Sequence, residues 1–303
     1  MALQSLEGAA LEPLWIEASS FHWEALRWQL PRLDPGAQGV AWVHEGRVQG
    51  YLTVALDGRM ARFGRLFASR RSPVEAVEAA LLGPAIRGAF ALPGVHRVCG
   101  ELLGLSEATR AQLIRSWPDQ VRMRCLLELP LEAPSTSMDG GGTAGMAPWD
   151  QGLLPAASAL LAEAYAGDRA LWPGLGDGTP AEACQILESL IGHGEAGRFE
   201  PRASFAVRVD SAERLWGLVL ACRMGPDTGH IAQLAVAPEA RGRGLGRVLL
   251  LRALRELRAL GCRAAHLVVH LDNARARALY QGLGGRETHQ FPALRLERKL
   301  SRT

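Results

Sequence analysis

One stretch constrains this chain more than any other: Arg241-Gly242-Arg243-Gly244-Leu245-Gly246. Before it runs a short apolar segment, residues 231–236, that stops at Ala237 and Pro238, the pattern of a buried strand ending in a turn. After it Leu250, Leu254 and Leu257, flanked by Val248, Leu251 and Leu260, recur at helical spacing. The glycines therefore sit at a helix N-terminus. The first four amides of a helix have no partner within it, and the helix dipole adds partial positive charge at the same end. Glycine lets the backbone approach a ligand closely, and Arg241, Arg243 and Arg247 add cationic donors, so the predicted occupant is an anion of pyrophosphate type. The spacing fits neither a P-loop, which ends in Gly-Lys-Ser/Thr, nor a dinucleotide fold, whose third glycine is replaced here by Arg247. A solvated helix start is the other reading of the three arginines; the intervening glycines have no purpose in it.

Gly261 and Cys262 mark the next turn. Residues 264–270 read as a second apolar strand, and Asp272 or Asn273 can cap a helix over 274–281 that Gly282 closes. In this order the two segments resemble motifs A and B of the GNAT superfamily of acyl-CoA-dependent N-acyltransferases. Arg241, Gly244 and Gly246 meet the family's Gln/Arg-x-x-Gly-x-Gly/Ala pattern, and Asp272-Asn273, Ala276-Arg277, Leu279-Tyr280 and Leu283-Gly284 match the second motif. The resemblance implies acetyl-CoA or a related acyl-CoA as acyl donor. It assigns pantetheine to the amides of Leu234, Ala235 and Val236 and to Asn273, and pyrophosphate to the amides of Arg241, Gly242, Arg243, Gly244, Leu245 and Gly246, with the Arg247 side chain close by. It makes Tyr280 the general acid for the departing thiolate. One departure is visible: the family closes this motif with an aromatic residue after Leu-Gly, and this chain has Gly285.

Transfer of an acyl group from a thioester to an amine needs a neutral amine, a stabilised oxyanion and a proton for the leaving thiolate. A backbone amide near Val236 can serve the oxyanion. Tyr280, with a free pKa of about 10, can protonate a thiolate of roughly 8.5 held close to it. His230 begins the strand before the loop, where relatives of this family carry a catalytic Glu, and an imidazole of free pKa about 6.5 can accept the amine's proton directly or through a water. A polar residue at the rim of a sheet is the competing identity for His230, as a core-edge residue is for Tyr280.

The N-terminal half predicts a helix over 14–30 carrying Trp15, Trp23 and Trp28, a hairpin over 40–54, and a strand over 62–68. Ser72-Pro73-Val74-Glu75 then reads as a capping box opening a helix through residue 80 or beyond, followed by a strand (95–102), a helix (106–116) and a strand (121–129). That order repeats the C-terminal half, but Ser69-Arg70-Arg71-Ser72-Pro73 replaces the glycine-rich turn, and proline removes an amide that a pyrophosphate would need. The half reads as a degenerate copy without cofactor binding; an unrelated α/β domain is the alternative. Between the halves, Pro134, Ser135, Ser137 and Gly140-Gly141-Gly142 have the composition of a linker. Beyond it come a helix (153–165), a loop, and Thr179-Pro180-Ala181-Glu182, a capping box opening a helix to about 191. By the resemblance these helices line the acceptor side, which makes Asp168, Trp172 and Asp177 candidate contacts to a cationic amine. Strands over 205–208 and 215–221 lead to His230, and 294–300 supplies the last strand.

The expected fold is α/β: two tandem GNAT-like domains, each a mixed central sheet flanked by helices, with boundaries at 1–131, a linker at 132–146, and 147–303. Its length of 303 residues suits two cores. Net charge is only +3, a lone Lys299 stands among the cations, and no basic run interleaves with aromatics, so no nucleic-acid partner is expected. The absence of a long apolar run or charged leader argues for a cytoplasmic protein without a membrane partner. Cys99, Cys125, Cys184, Cys222 and Cys262 read as reduced core residues, with no metal spacing. The sequence thus points to an N-acetyltransferase acting by direct attack on a primary amine of a small molecule or peptide, as a monomer or homodimer. A tandem enzyme like the mycothiol synthases, which share this layout, and a non-catalytic acyl-CoA-binding regulator are the alternatives; only catalysis gives Tyr280 and His230 a purpose.

Overall fold

The computed structural model describes residues 4–5, 38–44, 47–131, 145–166, 178–192, 197–209 and 214–298. The helix expected over 14–30 with its three tryptophans, most of the linker, and Asp168, Trp172 and Asp177 lie outside these residues. Two compact units form, one from residues 1–125 and 289–303, the other from 126–288. Among the described residues no helix is long and apolar enough to cross a membrane.

The first unit begins with β1 (Gln4–Ser5), β2 (Gln38–His44), β3 (Arg47–Asp57) and β4 (Met60–Ala68), antiparallel in succession. Helix α1 (Val74–Ala91) crosses to β5 (Arg97–Glu101), which runs parallel to β4; α2 (Glu107–Ser116) and β6 (Val121–Pro130) follow. The parallel ladder covers only Met60–Phe63 against Arg97–Gly100, so β4 continues to Ala68 with β3 alone. Helix α1 does not start by the expected capping box. Pro73, whose ring has no side-chain acceptor, stands at its cap, and the Ser72 hydroxyl donates instead to Gln49 Oε1. Beneath α1 the fully buried Glu78 accepts from the Ser106 amide at 2.9 Å and the Ser106 hydroxyl at 2.6 Å. Ser106 in turn caps α2 by accepting from the Thr109 amide.

The second unit contains β7 (Met146–Pro148), α3 (Leu154–Tyr165), α4 (Pro180–Gly192), β8 (Arg198–Phe199), β9 (Phe205–Arg208), β10 (Leu215–Arg223), β11 (Thr228–Val236), α5 (Leu245–Ala259), β12 (Ala264–His270) and α6 (Ala274–Gln281). Its strand order is β6-β12-β11-β10-β9-β7, with β8 on β10. At α4 half of the expected box forms: Thr179 Oγ1 accepts from the Glu182 amide at 3.2 Å, while the Glu182 carboxylate reaches one residue further back, to the Gly178 amide at 2.7 Å. Helix α5 packs so tightly on one face of the sheet that a Cβ at Gly217 would meet Leu249 at 2.9 Å, and one at Gly229 would meet Leu257 at 2.7 Å. On the opposite face Leu218, Leu220, Cys222 and Ala235 share a core with Leu160 and Leu161 of α3 and Leu187 of α4.

The last strand, β13, differs from expectation. It spans Arg286–Glu297 rather than 294–300, and its residues Ala293–Glu297 pair antiparallel with Glu101–Arg97 of β5. Leu294 and Leu296 are buried in the core of the first unit, beside Leu52, Phe63 and Leu81. The polar start Arg286-Glu287-Thr288-His289-Gln290 and Pro292 conceal the strand in the sequence, since they lack the alternation of a half-buried strand.

Candidate active site

The parallel pairing of β11 with β12 covers only Thr228–His230 against Ala264–His266. Beyond His230 the strands separate, while β11 stays paired with β10 up to Val236 through a bulge at Ala232. The Ala237 amide donates to the Trp216 carbonyl of β10 at 2.9 Å. Amides alternate in direction along an antiparallel strand, so those of Val236 and Leu234 point away from β10, into the gap, and that of Ala235 points into the sheet. Two of the three amides expected to meet pantetheine are therefore turned to the opening.

At the end of the gap stands the start of α5. Gly244 caps the helix at φ +79°, and Gly242 has φ +81°; both are left-handed conformations that only glycine adopts at little cost. Nothing lies within 4 Å of a Cβ built on either, so conformation rather than crowding requires glycine. The first hydrogen bond of the helix runs from the Val248 amide to the Gly244 carbonyl, leaving the amides of Leu245, Gly246 and Arg247 at the open end. A Cβ at Gly246 would lie 3.5 Å from Val236 and 3.8 Å from Leu279, so the first turn of α5 rests against both β11 and α6. Loop, strand end and second motif are thus assembled at one place.

Arg241 stands differently from the other two arginines. Its guanidinium donates from Nε to the Val236 carbonyl at 3.2 Å and also to the Ala164 carbonyl near the end of α3. Its amide bonds the Pro238 carbonyl. All three arginines are exposed, but Arg241 ties the loop to α3.

Asn273 caps α6 by accepting at Oδ1 from the Ala276 amide at 3.1 Å, which leaves its NH2 group as the donor for a ligand. Tyr280, 7% exposed, lies one residue before the end of that helix. Burial, and secondarily the Tyr165 phenol, raise its pKa above the ordinary 10, so it is protonated at neutral pH. Gly285 now has a reason. Its amide donates to the Tyr280 carbonyl at 2.9 Å, and a Cβ there would lie 2.7 Å from the same oxygen. An aromatic side chain has no room at this point.

His230 is buried and pairs with Cys222 on the α3–α4 face of the sheet, as do Gln233 and Ala235 on either side of Leu220 and Leu218. Burial, then the charge of His266, lower its pKa to about 4, and a backbone hydrogen bond with His266 opposes them. The imidazole is therefore neutral across the physiological range. Two neighbours were not among the residues assigned to the site from the sequence. Gln233 is only 6% exposed, and its side-chain amide lies 3.4 Å from the Tyr165 hydroxyl at the end of α3. The signal for Gln233 was a polar residue at an inward position of an apolar strand; Tyr165 offered none beyond its rarity among 3 tyrosines.

Comparison with known proteins agrees with this geometry. Residues 178–284 match the family model described as Acetyltransferase (GNAT) family. Mycothiol acetyltransferase of Beutenbergia cavernae is 41% identical over 106 residues, covering 35% of each chain, and that of Saccharopolyspora erythraea is 42% identical over 86 residues, covering 28% of each. The matched stretch thus spans about a third of the length of these relatives. Among solved structures, a GCN5-related N-acetyltransferase from Sphaerobacter thermophilus has a TM-score of 0.64 at 18% identity, over 90% of this chain and 84% of that one. A tandem GNAT protein from the clavulanic acid biosynthesis pathway has a TM-score of 0.61 at 16% identity, over 99% and 98%. The fold is that of these proteins, and residues 178–284 form a domain of the acetyltransferase (GNAT) family.

Proposed function

We propose that the second unit transfers an acetyl group from acetyl-CoA to the primary amine of a small molecule or peptide by direct attack. The observation that carries this reading is the separation of β11 from β12 beyond His230, which ends against the glycine-rich start of α5. The residues fit the donor. Leu234 and Val236 offer amides to a pantetheine chain, Asn273 offers its NH2, and the first-turn amides of α5 with Arg243 and Arg247 suit a pyrophosphate. Acetyl-CoA supplies an activated acyl group as a thioester. The chain's own residues do the rest: an amide in the gap steadies the oxygen that becomes negative, neutral His230 accepts the amine's proton, and Tyr280 gives its proton to the leaving sulfur. Arg241 acts through structure, holding the loop against α3.

The first unit shares the layout without the equipment. Its parallel strands also separate early, after Phe63 and Gly100. At its turn the Ser69 amide bonds Gln49, the Arg71 amide bonds Ser69 Oγ, the Ser72 amide bonds the Ser69 carbonyl, and Pro73 has none. We read the first unit, which holds most of the expected 1–131 domain together with the last strand, as a degenerate copy that does not bind the donor, and the second unit, the bulk of the expected 147–303 domain, as the transferase. Among acceptors, the names of the matched relatives favour a mycothiol-type substrate, in an enzyme acting in the cytoplasm.

Calorimetric titration of the full chain with acetyl-CoA is expected to show one site, lost in Gly244→Asp with the fold intact. Two sites would make the first unit a working copy, and retained binding in the variant would remove the loop assignment. A screen of primary amines with Tyr280→Phe then tests turnover: a loss of roughly 10²-fold or more in kcat is expected. Binding without turnover on any amine would favour the regulator.

A further inference from the structure

A buried imidazole that accepts a proton at every turnover must pass it on before the next. His230 lies directly beside His266 in the parallel register of β11 and β12, and paired residues in such a register share one face of the sheet. His266 Nε2 lies 3.4 Å from Glu128 Oε2 on β6, and Glu128 Oε1 lies 3.4 Å from an Arg286 nitrogen on β13. Exposure rises along this row. His230 is 7% exposed, and the side chains of His266, Glu128 and Arg286 are 13%, 33% and 74% exposed. The other ring nitrogen of His266, Nδ1, is buried without a hydrogen-bond partner among the described residues. That nitrogen is therefore open to receive a proton.

We propose that His266 and Glu128 form a proton exit from the active site, carrying to solvent the proton that His230 takes from the amine. The inference rests on the base role of His230 given above. An acceptor arriving as an ammonium ion must lose two protons to become an amide. The first passes to His230, is received by His266 at Nδ1, and leaves from Nε2 to the Glu128 carboxylate and then to water. The nitrogen lone pair then forms the N–C bond as the C–S bond breaks. Tyr280 protonates the sulfur and regains the nitrogen's second proton, so one proton leaves per turnover. The charges acting on the two rings favour this direction. Burial disfavours charge on both rings; beyond it, His266 disfavours charge on His230, whereas Glu128 favours charge on His266. Arg286 stands beside that carboxylate at the exposed end of the row, and His270, further along β12 on the face of His266, is the remaining titratable group of that strand.

The test needs no acceptor. In the full-length 15N-labelled protein, the exchange rate of the His230 ring proton with water is measured by NMR in the wild type, His266→Gln and Glu128→Gln. Both variants are expected to slow that exchange by about tenfold, and 100 mM-range imidazole, roughly the level at which a small base replaces a lost relay, is expected to restore it in His266→Gln. Exchange unchanged in both variants overturns the exit, and so does slowing that imidazole leaves untouched, since that is the mark of a purely structural partner. The base role is tested apart from this: His230→Ala with an unaltered pH–rate profile removes it, whatever the exchange rates show.

Discussion

Burial holds the His230 imidazole at about 4 against an ordinary 6.5, and the neighbouring His266 acts in the same direction. Between those values the unfolded chain binds a proton that the folded chain refuses. Stability present above pH 6.5 is therefore lost as pH falls towards 4, by an amount on the order of 3 kcal/mol for this group. His266 and His289 are also lowered, mainly by burial, and steepen the same slope. Urea midpoints of the wild type and His230→Gln, measured from pH 7.5 to 4, are expected to converge as pH falls; parallel curves would mean that His230 is not buried as neutral imidazole. At this scale the sequence was legible where a residue acts through its own backbone. Gly242 and Gly244 do so by taking left-handed conformations before α5, and Asn273 by capping α6. It was silent where chemistry depends on a partner distant in the chain: nothing in the strand holding His266 announces Glu128, and nothing near Arg241 announces the Ala164 carbonyl.

Among the elements, the segment joining α6 to β13 carries the tightest constraint. Gly284 turns at φ +83°, and Gly285 then passes so close to the end of α6 that its missing side chain sets the position of Tyr280. Gly285→Ala is expected to cost about 1–3 kcal/mol of stability and to lower kcat more than it raises KM for acetyl-CoA, because the displaced carbonyl belongs to Tyr280 itself. Denaturation midpoints together with steady-state kinetics check this; a stable variant with full activity would show that the contact relaxes freely. By the motif pattern alone Gly285 is a departure from the family. Only the approach of two backbone segments explains it, and such an approach has no signature in residue order. Helix α1 makes the same point, since Ser72 meets the rule for a cap and spends its hydroxyl on Gln49. By contrast α5 and its preceding strand were legible from period and glycine placement, because there local conformation and tertiary position demand the same residues.

For the whole molecule, the decisive fact is that residues 289–303 belong to the first unit. Removing everything after Thr288 is expected to unfold that unit, since it takes Leu294 and Leu296 from the core and bares the edge of β5. Limited proteolysis should then cut the truncated chain throughout 38–125 while 145–288 resists. Protection of both regions would mean that β13 is dispensable. This arrangement also sets an order of events during synthesis. The second unit is one unbroken stretch and can fold as soon as it clears the ribosome, whereas the first, although made earlier, waits for the final strand. At ~5–20 residues per second that wait is on the order of ten seconds or more, with an unpaired strand edge open throughout. The half made last is thus the half finished first, and a nascent chain stalled just short of β13 would carry a complete glycine-rich loop while its N-terminal unit still lacked a strand.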